Sequence, residues 1–229
     1  MRVLVNEQLI KKRAGAAQRS MTLGLMALVV ALVLSFNRRT VLFAYPVMVI
    51  GAILLNWGAS AGGKWLREPR VDQTLAKALK GLDHGYRLYN YLLPAEHVLL
   101  SPAGLVVLKV KLQDGKISCR GEKWHRRLSF GRFLRALLEA PLGNPSKQAR
   151  QETDRLRRFV ANHFPEMNVP MQAVIVFIDP KAQLDVIEPA MPAMTLSPLK
   201  AYLRDTTKNR TIPQETLKAL TNLFDEQAT

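Results

Sequence analysis

Residues 94–111 read Pro94-Ala-Glu96-His97-Val-Leu-Leu-Ser101-Pro-Ala-Gly104-Leu-Val-Val-Leu-Lys109-Val-Lys111. Two short aliphatic runs flank a Ser-Pro-x-Gly interval, a turn signal between stretches too short for helices. The pattern predicts strands at His97–Ser101 and Leu105–Leu112 joined by a tight turn. Alternate residues on a strand point to the same side, so Lys109 and Lys111 project together.

Outward from this pair, Tyr86–Leu93 and Ile117–Arg120 read as further strands, the latter entered through Gly115 and Lys116. Before them, Val71–Leu82 carries Val71, Leu75, Ala78, Leu79 and Leu82 at helical spacing. After them, Asn144-Pro145-Ser146 is a helix start, with Asn as cap and Pro at the first helical position. That helix is expected to run to about His163, with Ala149, Leu156, Phe159 and Val160 inward. Ala173–Ile178 reads as a strand buried on both faces, and short helices are expected near Pro198–Leu203 and Gln214–Phe224. Residues 71–229 are therefore an α/β domain with a mixed sheet, long enough for one core.

The segment before it differs. Ser20–Asn37 and Thr40–Gly63 are uncharged runs of 18 and 24 residues. A bilayer core of about 30 Å needs roughly 20 helical residues, so residues 20–63 read as a transmembrane hairpin, with helices over about 21–37 and 40–58. A signal peptide cleaved near Ala59-Ser60-Ala61 is disfavoured, because two successive apolar runs precede that site. Arg2, Lys11, Lys12, Arg13, Arg19, Lys64, Arg67 and Arg70 flank the hairpin, and only Arg38 and Arg39 lie in its turn. The basic bias places both flanks, and both termini, in the cytoplasm, and points to the cell (inner) membrane. Residues 1–19 read as a basic cytoplasmic segment at the lipid headgroups. The spacing Gly58-x4-Gly63-Lys64 imitates a phosphate-binding loop, but Trp65 stands where Ser or Thr would hold magnesium. Small residues at a membrane helix end account for it better.

The whole chain carries 33 Lys and Arg against 18 Asp and Glu, a net +15, and residues 71–229 keep an excess of 23 over 16. Such a balance favours anionic partners: nucleic acid or anionic lipid headgroups. The single cysteine, Cys119, excludes an internal disulfide framework and a Cys-rich zinc module. His84, His97, His125 and His163 show no ligand spacing.

The 94–111 stretch, with Gly115, Trp124 and the Asn144-Pro145…Gln148 helix start, resembles the nuclease-related domain (NERD) family from about Asp72 to Phe177. The resemblance implies a restriction-endonuclease-like core whose acidic pair binds magnesium and whose Glu-x-Lys lysine activates water. Asp72 stands where the family has a helix-one glutamate, and Glu96 where it has a strand aspartate. Lys109 stands where it has the metal-binding glutamate. Lys111 and Gln148 match the family's catalytic positions.

Magnesium takes hard oxygen ligands. Exchanging a carboxylate for an ammonium changes the local charge by two units, each worth about 4 kcal/mol at about 4 Å and an effective dielectric near 20. The degenerate motif thus reads as metal-poor and phosphate-friendly. The remaining alternatives are that Lys109 and Lys111 form the solvated face of an edge strand and that Glu96 pairs with one of them.

Between Lys116 and Arg135, Lys116, Arg120, Lys123, Arg126, Arg127, Arg132 and Arg135 meet one acid, Glu122, with Trp124, Phe130 and Phe133 interleaved. That mixture suits single-stranded nucleic acid, anionic headgroups or a plain solvated surface. Candidate phosphate or nucleic-acid ligands are Lys109, Lys111, Arg120, Lys123, Arg126 and Arg127.

The leading expectation is a membrane-anchored, catalytically degenerate NERD-like domain that binds nucleic acid or another phosphate-bearing partner. One alternative is an active magnesium-dependent nuclease whose metal site is rebuilt from Glu96, Asp72 and a further acid, Asp114 or Glu122. The other is a structural module at the membrane surface.

Overall fold

The computed structural model describes residues 1–127, 141–208 and 211–228. They form two compact units, one of residues 7–70 and one built from 1–6 together with 71–127 and 142–228.

The first unit is a helical hairpin of α1 (Glu7–Ser35) and α2 (Val41–Trp65). Both are longer than the expected apolar spans, because α1 begins in the basic segment and α2 continues through Gly58 and Gly62. The phosphate-loop lookalike is thus helix, not loop. Buried positions are nearly all small: Ala17, Ser20, Gly24 and Ala31 on α1, and Ala44, Gly51, Gly58 and Gly62 on α2. The seven-residue steps 17–24–31 and 44–51–58 keep one seam facing the partner. The backbones approach so closely that a Cβ on Gly24 would lie 2.6 Å from the Leu55 nitrogen and 2.8 Å from the Gly51 oxygen. Ser20 Oγ donates to the Leu54 carbonyl at 2.8 Å, and Arg70 donates to Glu7 at 2.9 Å where the hairpin's two ends meet. The large side chains point outward instead. Leu25, Val33, Leu42, Phe43, Ile53 and Trp57 are all more than half exposed. Both helices are long and apolar enough to cross a membrane.

The second unit is a mixed α/β domain. Its elements are β1 (Arg2–Val5), α3 (Val71–Ala78), β2 (Arg87–Asn90), β3 (His97–Ser101), β4 (Gly104–Lys111), β5 (Gly115–Arg120) and β6 (Lys123–Arg127). They are followed by α4 (Pro145–His163), β7 (Met171–Phe177), β8 (Ala182–Ile187), β9 (Ala193–Thr195), α5 (Leu196–Thr207) and α6 (Gln214–Glu226). Six strands order as β1-β2-β3-β4-β7-β9, with β2, β3 and β4 antiparallel and the β1–β2, β4–β7 and β7–β9 pairs parallel. A second sheet orders as β6-β5-β8.

The structure divides the basic segment 1–19. Arg2–Val5 are a sheet edge, registered Arg2↔Arg87 to Val5↔Asn90, and the rest opens α1. Its four residues, three of them aliphatic, are too few to carry a periodicity, so only the pairing with β2 reveals the strand. Elsewhere boundaries shift by a few residues. Helix α3 stops at Ala78, ahead of Gly81 in the left-handed region at φ 84°. The turn after Ser101 needs its glycine: Gly104 has φ 122°, and a Cβ there would come 2.4 Å from the Pro170 oxygen.

The six-stranded sheet buries both faces. On one, Val107, Ile175 and Phe177 meet Ala149, Leu156 and Val160 of α4 and Phe224 of α6. On the other, Val106, Leu108, Val174 and Val176 meet Val71 and Leu75 of α3 and Leu199 and Leu203 of α5. The alternation along β4 therefore aims Lys109 and Lys111 at the α4 face.

Candidate functional site

Asn144 caps α4 by accepting from the Lys147 backbone N–H at 2.9 Å, with Pro145 at the first helical position. This fixes where the first turns of α4 lie over β4. Two residues along a strand cover about 6.6 Å and four along a helix about 6 Å, so successive lysines of β4 meet successive turns of α4. Lys111 Nζ donates to Gln148 Oε1 at 2.7 Å and to the Leu142 carbonyl at 2.8 Å. Lys109 Nζ donates to Glu152 Oε1 at 2.5 Å. The β3–β4 register, Val98↔Val107, carried two residues further sets Glu96 opposite Lys109, and the ammonium lies 3.6 Å from Glu96 Oε2.

The lysines are thus neither on an edge strand nor solvated: β4 lies between β3 and β7, and Lys109 and Lys111 are 9% and 7% exposed. Lys109, Lys111, Glu96 and Gln148 come together as the sequence suggests. Glu152 completes the cluster and was not anticipated. Its signal was present, since it lies three residues after Ala149 and four before Leu156, an acid on the apolar stripe of α4. Glu152 is 3% exposed, and its Oε2 is buried with no hydrogen-bond partner among the described residues. A carboxylate so placed depends on the Lys109 ammonium.

Asp72 is buried in the first turn of α3, the helix that covers the other sheet face, and is not a partner of Lys109. The acids named for a rebuilt metal site are committed elsewhere. Asp114 holds Arg126 at 2.5 Å, with the Arg126 Nε donating to the Asp114 carbonyl at 2.9 Å. Glu122 pairs with Arg150 at the surface. Among the described residues no three His, Cys, Asp or Glu side chains converge as metal ligands. The donor set does not fit magnesium, because an ammonium already fills the space between the Glu96 and Glu152 carboxylates.

The remaining cationic candidates divide by strand face. Arg126 is turned inward with Trp124, whereas Lys123 and Arg127 are exposed. Arg120 is exposed and meets Asp185 at 3.4 Å. Trp124 is not a stacking platform: it is 9% exposed, donates from Nε1 to Ser146 Oγ at 2.8 Å and packs against Phe177. Phe130, Phe133, Arg132 and Arg135 lie outside the described residues. Cys119 is fully buried, and burial pushes its thiol above the usual range, which makes it a packing residue rather than a nucleophile.

A mixed sheet with a polar pair on an inner strand, answered by the first turns of a crossover helix, defines an α/β domain with a buried polar centre. The model of the nuclease-related domain matches residues 64–178, half of the chain, and the protein belongs to the NERD family. Neither the comparison with curated proteins nor that with solved structures gives a significant match.

Proposed function

We propose that this protein is a membrane-anchored NERD domain that binds nucleic acid, or another phosphate-bearing partner, at the cytoplasmic membrane face without hydrolysing it. The observation that carries this reading is the Lys109 ammonium, 2.5 Å from Glu152 and 3.6 Å from Glu96. A cation supplied by the chain stands among the carboxylates that a divalent ion would need, so the charge at the centre is balanced without metal. Lys111, the family's catalytic lysine, is held by Gln148 and the Leu142 carbonyl, and the +15 charge supports an anionic partner. The outward leucines, valines and phenylalanines of the hairpin support anchoring. Orientation rests on the eight flanking cations against two in the turn.

The test uses the full chain in detergent micelles. Calorimetric titration with Mg²⁺ or Mn²⁺ is expected to give no saturable binding, and supercoiled plasmid is expected to stay intact. Lys109→Glu should create a three-carboxylate centre that binds the ion, so that its thermal midpoint rises on adding Mg²⁺ while the natural chain's does not. Metal-dependent cleavage by the natural chain, lost in Glu96→Ala, would establish an active nuclease instead.

A further inference from the structure

Resting on that reading, we propose that the docking surface is the outward face of the β6-β5-β8 sheet rather than the Lys109–Lys111 centre, and that its partner is the phosphate backbone of a nucleic-acid duplex. Alternation places Lys116, Ser118 and Arg120 of β5, and Lys123, His125 and Arg127 of β6, on one side. The opposite side carries Ile117, Cys119 and Trp124 into the core. All four cations are exposed. The register pairs them across the strands, Lys116 with Arg127 and Arg120 with Lys123, with Ser118 and His125 between. Each pair spans about 5 Å, and the two pairs stand about 13 Å apart along the strands. On β8 the same face adds Gln183, Asp185 and Ile187. One acid faces four cations.

Three observations select a duplex backbone. Lys109, Lys111 and Arg126 are nearly buried and bonded to groups of the chain itself, so reaching a phosphate would break those bonds. Among the described residues no aromatic ring apart from His125 lies on this face, because Trp124 points inward, so these strands do not provide the stacking that holds single strands. A lipid surface is gripped by apolar side chains that enter it, and among the described residues of this face Ile187 alone offers one. A flat, paired, two-stranded ribbon of cations instead matches the dense charge of a duplex.

The experiment is fluorescence anisotropy of a labelled duplex with the full chain in nanodiscs of uncharged phosphatidylcholine, between about 50 and 200 mM salt. Lys116→Ala/Arg127→Ala should weaken binding at least tenfold and lower the salt slope by about 2. Lys147→Ala/Arg158→Ala, an equal charge loss on the exposed side of α4, should leave affinity within about twofold. The exposed positions spare the fold, which the thermal midpoint checks. Duplex binding that ignores the sheet variants would overturn this inference and leave the proposed function standing. No binding of any nucleic acid by the natural chain would overturn both. Tighter binding of a single strand, or binding only to phosphatidylglycerol vesicles, would also overturn it.

Discussion

Lys109 and Glu152 are each other's condition for burial. A buried charge left without its partner costs about 3–5 kcal/mol, whereas exchanging both partners for apolar groups of similar volume is near neutral. Glu152→Ala should therefore lower the thermal midpoint by about 6–12 °C, from about 3 kcal/mol and 2–4 °C per kcal/mol. Lys109→Met/Glu152→Met should recover most of that loss, and circular dichroism melts of the natural chain, Lys109→Met, Glu152→Met and the double variant complete the cycle. A second buried group ties α6 to β2. The Tyr89 hydroxyl donates to Asp225 at 2.8 Å, and Asp225 also accepts from Arg87 at 2.6 Å. Burial first, and then the bond to Asp225, raise the Tyr89 phenol well above its ordinary range. A raised phenol means that the folded state holds the proton more tightly. Its stabilisation is complete below about pH 10 and disappears as pH rises beyond it. Tyr89→Phe should cost about 1 kcal/mol, and should lose stability less steeply than the natural chain in urea melts compared at about pH 9 and about pH 11.

Among the elements, the helical hairpin is the one held by backbone proximity. In a bilayer, apolar side chains gain little by leaving lipid for each other, so close small-residue contact decides the association. Gly24→Val should separate α1 from α2, because its Cβ would overlap the Leu55 nitrogen, while Gly15→Ala, with nothing within 4 Å, should not. Loss of disulfide crosslinking between cysteines placed at Ala31 and Ala44 would report the separation. The hairpin and the helices were legible because a long uncharged run, or an apolar residue at every third or fourth place, repeats its signal many times. The 94–111 strands were legible from Ser101 and Gly104, whose turn chemistry is local. Strand β1 was not, since a four-residue edge acquires meaning only from a partner 85 residues away, and Glu152, visible as an acid on an apolar stripe, acquires its role only from Lys109, 43 residues away. For the same reason Trp124, aromatic among cations, suggested stacking until the β5–β6 register turned it inward.

For the whole molecule, β1 carries a topological constraint. Arg2–Val5 are hydrogen-bonded to β2, a pairing that requires residues before and after the hairpin to lie on the same side of any membrane it crosses, independently of the charge count. Reporter fusions at Met1 and at Thr229 should score on the same side of the membrane, and opposite scores would refute the hairpin. Deleting residues 2–5 should uncover the edge of β2 and lower the solubility of the detergent-extracted protein. The same strand sets an order of events. It is made before its partner, which follows more than 80 residues later, so direct closure must bring distant parts of a disordered chain together. A hairpin already folded in lipid, with Glu7 and Arg70 joined, shortens that loop to about 20 flexible residues, which lowers the closure cost by about 1 kcal/mol. The hairpin then serves as a splint for the α/β domain. Chains whose hairpin forms late would finish their sheet late, and with an open edge.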